Sequence, residues 1–403
     1  KNSKSKWSEV LIIQRIIVLI TWSWYKIKTR KIAVVFLIVI LFSFAVGVVI
    51  GDFKYPPYGV IRDVYKEIIP QKTELDEPID SHYKEVNASS FIHIQNEVDL
   101  LNKREALIHY IWKENGFPYD KMPTKIEQNI QDDRFSDLRN LAKIDKLTIL
   151  MDYGVDSKAY LFLASKSNNK LVIYHQGHDG DFVLGKNTIQ YFLYNNYSVM
   201  AFSMPLLEPN SQPVVDLQNF GKIKLTSHDD LMFLESKEFS PIKFFVEPIA
   251  VSLNYVEKTY KFESYNMVGI SGGGWTTVLY SAIDTRISKD YPVAGSVPMY
   301  LRFNNPKNIG DYEQMVLGLY NVAEYLDLYI MASYGDNRGQ IQIFNEYDPC
   351  CFSGLGFKTY ESEIKNSVLN LGKGTFDIFL DETNTKHSIS DESLVVILKD
   401  MER

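Results

Sequence analysis

A short apolar run that ends at a serine between glycines decides the fold: YNMVGISGGGW at residues 265–275. The apolar part predicts a buried β-strand. The glycines predict a sharp turn, because they let backbones approach where a Cβ atom would collide. After the turn, apolar residues recur at the spacing of one helix face: Trp275, Val278, Leu279 and Ala282. The stretch therefore predicts a strand, a tight turn at Ser271 and a helix.

A serine at such a turn is a candidate nucleophile. Its hydroxyl becomes reactive only when it is exposed, fixed in one conformation and placed beside a base. A strained turn from strand to helix meets the first two conditions. The alternative interpretation of Ser271 is a glycine-rich turn that binds phosphate. The base must come from elsewhere in the sequence.

Only one of the seven histidines, His387, follows Ser271 in the chain. It lies in a loop directly after a predicted strand at residues 376–380. Such loops meet at the carboxyl edge of a parallel sheet, where ligands bind. We therefore predict that His387 is the general base, with a surface histidine as the alternative.

The candidate acid also follows a predicted strand. Residues 340–344 are strand-like and lead into NEYDP at residues 345–349. An Asp-Pro turn would direct the Asp348 carboxylate towards His387. Glu346 is the alternative acid, since either carboxylate can orient an imidazole. Asp348 as a simple turn residue is the non-catalytic alternative.

Strands and helices alternate from residue 146 onwards, which predicts an α/β fold with a mostly parallel sheet covered on both faces. The first two strands, 146–152 and 159–164, are joined through Gly154 and predict an antiparallel start. Further strands are predicted at 171–174, 198–203, 267–270, 292–297, 340–345 and 376–380. Helices are predicted at 188–194, 244–260 and 360–371. An insertion is predicted at about 300–338. A last helix is predicted to begin with a capping box formed by Ser388 and Asp391.

The chain order Ser271, Asp348, His387 is that of one serine-hydrolase fold. Residues 146–403 resemble the α/β-hydrolase superfamily: GISGG (269–273) is similar to its nucleophile elbow, NEYD (345–348) to its acid turn and KHS (386–388) to its histidine loop. The resemblance implies acyl-transfer chemistry, with ester hydrolysis favoured. It also implies an oxyanion hole from the N–H of Gly272 and of His178, with Asp179 as the alternative to His178.

The predicted oxyanion loop contains four residues of metal-ligand type: His175, His178, Asp179 and Asp181. Their spacing matches no zinc signature, and the loop glycines suit an oxyanion loop. The sequence therefore predicts no metal site and no cofactor.

The N-terminal part predicts a membrane anchor. Residues 32–50 carry no charge and are long enough for a transmembrane helix, predicted at 32–51. Basic residues precede it, so the basic segment 1–31 is expected on the cytoplasmic side, with residues 10–25 as a helix in the membrane interface. The remainder is expected on the extracytoplasmic (periplasmic or extracellular) side. A cleaved signal peptide is the alternative, but no small-x-small site follows. Residues 52–145 are expected to form a linker and a helical accessory region, with a helix at 96–112.

The charge distribution argues against nucleic acid as a partner. Residues 1–31 hold eight Lys and Arg and one Glu, which leaves 35 basic and 49 acidic side chains in the rest. A domain this acidic is unsuited to binding phosphate backbones. The expected partners are the membrane, through the N-terminal helix, and an acyl substrate that is a small molecule, a glycan or a lipid.

The only two cysteines, Cys350 and Cys351, are adjacent. A bridge between neighbours is strained, so two thiols near the site are expected, with a vicinal disulfide as the alternative.

Together these observations predict a membrane-anchored serine esterase. A peptidase or acyltransferase of the same fold, or a non-catalytic hydrolase-like scaffold of the cell envelope, are the alternatives.

Overall fold

The computed structural model describes residues 39–44, 46–47, 85–302 and 308–403. The chain divides into two units, Lys1–Lys72 and Thr73–Arg403. In the first unit, the described residues are helical and exposed. The predicted segment 1–31, most of the predicted transmembrane segment 32–51 and the linker up to residue 84 lie outside the described residues. Among the residues that are described, no helix combines the length and apolar character needed to cross a bilayer.

A nine-stranded sheet forms the centre of the second unit, in the order β1-β2-β3-β5-β4-β8-β9-β10-β11. The strands from β5 to β11 in this order are parallel, whereas β1, β2 and β3 are antiparallel to their neighbours. Strands β6 and β7 form a separate hairpin. The strand bounds are β1 Lys125–Glu127, β2 Leu141–Leu150, β3 Asp156–Ala164, β4 Lys170–His175, β5 Ser198–Phe202, β6 Val214–Leu217, β7 Gly221–Lys224, β8 Ser264–Ile270, β9 Ile287–Val293, β10 Gly339–Asn345 and β11 Thr375–Asp381.

Helices cover both faces of this sheet. Side chains of β4 alternate between two apolar cores, with Leu171 and Ile173 in one and Val172 and Tyr174 in the other. The first core includes α1, α3, α4, α6 and α7, and the second includes α2 and α8. The predicted α/β class, with a mostly parallel sheet and an antiparallel start, is confirmed. The helix bounds are α1 Glu97–Trp112, α2 Lys186–Tyr194, α3 Lys243–Thr259, α4 Gly272–Ile283, α5 Leu317–Val322, α6 Tyr325–Ser333, α7 Glu361–Leu371 and α8 Asp391–Met401.

Several predicted boundaries are wrong, among them the start of β2, which is Leu141 and not residue 146. Strand β9 begins at Ile287 and ends at Val293, whereas the prediction was 292–297, because the polar pair Lys289 and Asp290 interrupts the apolar run. Helix α8 is capped by Ser390, whose side chain accepts from the Ser393 N–H, and not by Ser388. Ser388 remains in the histidine loop.

The segment 300–338, predicted as an insertion, contains helix α6. All nine residues of this helix are buried. It lies between β9 and β10 in the chain, and those two strands are parallel neighbours. Helix α6 therefore serves as the crossover connection that a parallel pair requires.

Helix α1 is joined to helix α3 by a buried carboxylate. Glu247 of α3 is 1% exposed and accepts a hydrogen bond of 2.9 Å from Trp112 Nε1. Lys243 lies 3.4 Å from the same carboxylate, and Lys121 forms a second ion pair with it. A buried carboxylate is tolerated only when it is paired in this way.

Replacement of this carboxylate is expected to destabilise the fold. Glu247→Ala would leave the buried Trp112 N–H without its acceptor and remove an ion-pair partner of Lys121 and Lys243, at a cost of about 3 kcal/mol in the free energy of unfolding. Glu257→Ala is the matched control on the same helix, since Glu257 is 41% exposed and pairs with Arg286. Its cost should stay below about 1 kcal/mol. Denaturant unfolding measures both, and equal losses would contradict the role given to Glu247.

Candidate active site

Ser271 occupies the turn between β8 and α4 in a strained conformation. Its φ is 56° and its ψ is −126°, which non-glycine residues rarely adopt. Its N–H donates to Val293 O at 2.9 Å, and its carbonyl accepts from the Trp275 N–H at 3.1 Å. The end of β9 and the first turn of α4 therefore hold this serine in place.

The glycines around Ser271 allow a close backbone approach, as the sequence predicted. A Cβ atom on Gly269 would collide with the backbone of Gly273. A Cβ atom on Gly273 would collide with the carbonyl oxygen of His175, at the end of β4. The N-terminus of α4 therefore lies directly against β8 and β4.

Asp348 and His387 form a hydrogen-bonded pair. The His387 Nδ1 atom lies 2.7 Å from Asp348 Oδ2, and the two side chains are 8% and 0% exposed. The other carboxylate oxygen of Asp348 accepts from the Cys350 N–H at 2.8 Å. Of the two candidate acids, Asp348 and not Glu346 is therefore the one bonded to the imidazole.

Asn345, at the end of β10, fixes the histidine loop. Its Nδ2 donates to Ser388 O at 3.0 Å and lies 3.4 Å from Lys386 O and 3.3 Å from Asp348 Oδ2. The side chain is completely buried. Sequence reasoning missed this residue, although its position at a strand end beside the acid turn was a signal.

Ser271, Asp348 and His387 follow the carboxyl ends of β8, β10 and β11. Because these strands are parallel and lie within one sheet, the three residues share one edge. Within the described part of the chain, no hydrogen bond joins Ser271 Oγ to His387. Catalytic hydrogen bonds often form only in the substrate complex.

Cys350 and Cys351 are joined by a disulfide, so the expectation of two free thiols is wrong. Their Cα atoms are 3.8 Å apart, and the turn after Asp348 brings both side chains to the same side. The Cys351 Sγ atom lies 3.9 Å from His387 Nε2. The disulfide therefore borders the imidazole at the nitrogen that faces away from Asp348.

The predicted oxyanion loop lies over Ser271. A Cβ atom on Gly177 would be 2.6 Å from the Ser271 Cβ and 3.3 Å from its Oγ. A Cβ atom on Gly272 would collide with the imidazole ring of His178. The two residues predicted to form the oxyanion hole, Gly272 and His178, are therefore neighbours.

The imidazole of His178 faces carboxylates. Its Nε2 lies 2.9 Å from Asp311 Oδ2 and 3.0 Å from Glu313 Oε1. Burial opposes the charged imidazolium, but these two carboxylates outweigh it and raise the pKa of His178 to about 10. The Nε2 atom of the ring is thus engaged, whereas Nδ1 faces Gly272.

Two of the other residues of metal-ligand type in this loop, His175 and Asp181, have separate roles. His175 is buried with its Nδ1 2.9 Å from Gln176 O, and burial lowers its pKa to about 4. Asp181 caps a 3-10 helix through the Val183 N–H and pairs with Arg134. His178 instead meets His228, Asp311 and Glu313. Sequence reasoning missed these three partners because they come from distant segments.

A cleft of about 530 Å³ lies away from Ser271. It borders the amino-terminal ends of the strands, near Lys143, Ser198 and Tyr260. Ser271, Asp348 and His387 lie at the opposite edge, so this cleft is not part of the candidate active site.

Solved structures of two esterases share this architecture. An acetyl xylan esterase from a Paenibacillus species is 14% identical, with a TM-score of 0.52 over 81% of this chain and 99% of that chain. Acetyl xylan esterase 1 from a Thermoanaerobacterium species is 12% identical, with a TM-score of 0.51 over 81% of this chain and 98% of that chain. No family model matches the sequence, and comparison with curated proteins finds no match. At these identities the likeness shows a shared fold and no more.

Proposed function

We propose that this protein is a carboxylic ester hydrolase that works through Ser271, His387 and Asp348. The observation that carries the proposal is the buried Asp348–His387 pair, which lies at the same sheet edge as the strained Ser271 turn. A serine needs an imidazole to take its proton and a carboxylate to orient that imidazole. The three side chains supply these roles on a fold shared with esterases.

In the proposed reaction, Ser271 Oγ attacks the acyl carbonyl carbon and gives its proton to His387 Nε2. The Asp348 carboxylate accepts from the Nδ1–H of His387, which keeps Nε2 free to act as a base and stabilises the imidazolium that forms. His387 then protonates the leaving alcohol as the acyl-enzyme forms. In the second step, His387 Nε2 takes a proton from a water molecule, which attacks the acyl carbonyl carbon. The bond to Ser271 Oγ breaks, His387 returns the proton to Oγ, and the acid product leaves.

The oxyanion is proposed to accept hydrogen bonds from the backbone N–H groups of Gly272 and His178. Gly272 is the first residue of α4, so its N–H points out of the helix N-terminus and has no acceptor within the helix. The loop with Gly177 and His178 covers the serine. Such fixed donors stabilise the charge that develops in the transition state.

Acyl esters of glycans are the proposed substrates, with short acyl groups such as acetyl tested first. The support is that the two solved structures of similar fold are both acetyl xylan esterases. A panel of acetyl, long-acyl and peptide substrates separates an esterase from the peptidase and acyltransferase alternatives.

Loss of the nucleophile should abolish turnover. Ser271→Ala is expected to lower kcat on a short p-nitrophenyl ester by about 10⁴-fold or more, because no other group can form the acyl-enzyme. It should also prevent labelling by a fluorophosphonate probe. Ser136→Ala is the control, since Ser136 is exposed and bonded only to the backbone of Asp133. Full activity of Ser271→Ala would refute the assignment, and an unlabelled wild type would indicate a non-catalytic scaffold.

The two acidic residues after β10 give a matched comparison. Asp348→Asn should lower kcat by about 10³- to 10⁴-fold, because an amide favours the wrong imidazole tautomer. Glu346→Gln, two residues away, should leave kcat within about threefold, since it makes no bond to His387. Steady-state kinetics and circular dichroism of both variants test this. A larger loss for Glu346→Gln would reverse the assignment of the acid.

We also propose that residues 32–51 anchor the protein in the cytoplasmic membrane with the catalytic domain outside. The support is the uncharged run preceded by Lys26, Lys28, Arg30 and Lys31. In a bacterial host, the full chain should sediment with membranes and be cleaved by protease added to spheroplasts. Replacement of the four basic residues by Gln should reduce the cleaved fraction. Recovery of the wild type as a soluble cytoplasmic protein would overturn this proposal.

A further inference from the structure

Four metal-ligand side chains meet beside the oxyanion loop. His178 comes from the loop after β4, and His228 begins the 3-10 helix His228–Leu234. Asp311 and Glu313 come from the segment around the 3-10 helix Tyr312–Gln314. One ligand atom from each side chain lies within 4.8 Å of the ligand atoms of the other three.

The distances show that these atoms converge on one point. His178 Nε2 lies 2.9 Å from Asp311 Oδ2, 3.0 Å from Glu313 Oε1 and 3.0 Å from His228 Nδ1. His228 Nδ1 lies 3.0 Å from the second oxygen of Glu313. His228 and Glu313 are 5% and 0% exposed, so water contributes little to their solvation.

No single placement of hydrogen atoms satisfies every contact in this arrangement. His228 Nε2 lies 2.9 Å from Pro205 O, and a carbonyl only accepts, so Nε2 carries the hydrogen. Without a hydrogen, His228 Nδ1 presents a lone pair to the Glu313 carboxylate, which also only accepts. With a hydrogen, it faces His178 Nε2 at 3.0 Å, so the two rings cannot both carry a hydrogen on these atoms. His178 Nε2 has at most one hydrogen for three acceptors. A cation at the centre would satisfy all four groups.

The contact between His228 and Pro205 independently indicates a ligand histidine. Histidines that bind metals usually donate their other ring N–H to a carboxylate or a backbone carbonyl, which fixes the ring and the tautomer. His228 does this through Nε2, and Phe245 packs edge-on at 5.0 Å between ring centroids. The free Nδ1 lone pair is thereby directed at the other three ligands.

We propose that His178, His228, Asp311 and Glu313 bind one Zn²⁺ ion. Two imidazoles and two carboxylates fit the four-coordinate preference of zinc, whereas Ca²⁺ and Mg²⁺ prefer oxygen ligands. The site differs from the short H-x-x-H-D-x-D pattern in the sequence, because only His178 is common to both. It also goes beyond ester hydrolysis, which the proposed triad performs without a metal.

The ion would have a structural role, because it would connect three separate segments of the chain. Four protein ligands leave no open position for substrate or water, as is typical of structural zinc sites. It would join the oxyanion loop, the His228 segment and the segment after β9. Because His178 packs against Gly272 and follows Gly177, the bound ion would fix the loop that covers Ser271.

The test measures metal content independently of activity. The full chain, purified without chelator or a metal-affinity step, should contain about one zinc per chain by inductively coupled plasma mass spectrometry. Removal of the metal with a strong chelator should lower Tm, and one equivalent of Zn²⁺ should restore it. Co²⁺ added to the metal-free protein should give the visible absorption bands of a four-coordinate site.

Variants locate the ion. Asp311→Asn is the conservative choice, because the Asp311 side chain is 48% exposed and its loss should not prevent folding. It should weaken Zn²⁺ binding by more than about 10-fold, and His228→Gln should abolish it. His93→Gln is the control, since His93 is 51% exposed and pairs with Asp327 outside the cluster. Its zinc content should match the wild type.

Two results would overturn the proposal. One is a wild-type protein with no zinc and no change in Tm on addition of Zn²⁺, Co²⁺, Ni²⁺ or Mn²⁺, which would mean that the four residues form ion pairs only. The other is equal zinc content in wild type and His228→Gln. Neither result depends on the ester reaction, and an inactive Ser271→Ala variant with normal zinc would leave this proposal intact.

Discussion

The close contact between the end of β4, the end of β8 and the first turn of α4 is the constraint on which the site depends. Gly273 lies so near the carbonyl oxygen of His175 that no side chain fits between them. Gly269 lies equally near the backbone of Gly273. This contact forces Ser271 into a positive φ and fixes it at the carboxyl edge. The proposed acid, the proposed base and the predicted oxyanion loop all follow strands that end at the same edge.

Much of this framework could be predicted because it depends on local patterns. Apolar runs predicted β4, β5, β8, β10 and β11. The candidate serine, acid and base were identified because each lies just after the end of one of these runs. Strand β9 was misplaced because Asp290 lies within it. That carboxyl group is buried and accepts from Gln340 Nε2 at 2.6 Å, and burial raises its pKa to about 7. A polar contact between neighbouring strands leaves no trace in a hydrophobicity pattern.

The supporting residues could not be predicted, because their contacts join distant segments. His178 and His228 are 50 positions apart, and His178 and Glu313 are 135 positions apart. Asn345 donates to a carbonyl 43 positions later. Motif spacing describes neighbours in the chain, so a cluster built from three segments has no signature. From the sequence, only the strain of a bridge between neighbouring cysteines argues against the vicinal disulfide. In the structure, the turn after Asp348 brings the two sulfur atoms together.

The loops on either side of Ser271 are held by the same kind of contact. The Asn345 amide holds the loop that carries His387, and the carboxylates of Asp311 and Glu313 hold the imidazole of His178. Hydrogen bonds and ion pairs are directional, so they select one loop conformation where apolar packing would permit several. The segment 300–338 contributes both the buried crossover helix α6 and these two carboxylates. It is therefore part of the framework that positions the predicted oxyanion loop, and a change in this segment would act on Ser271 through His178.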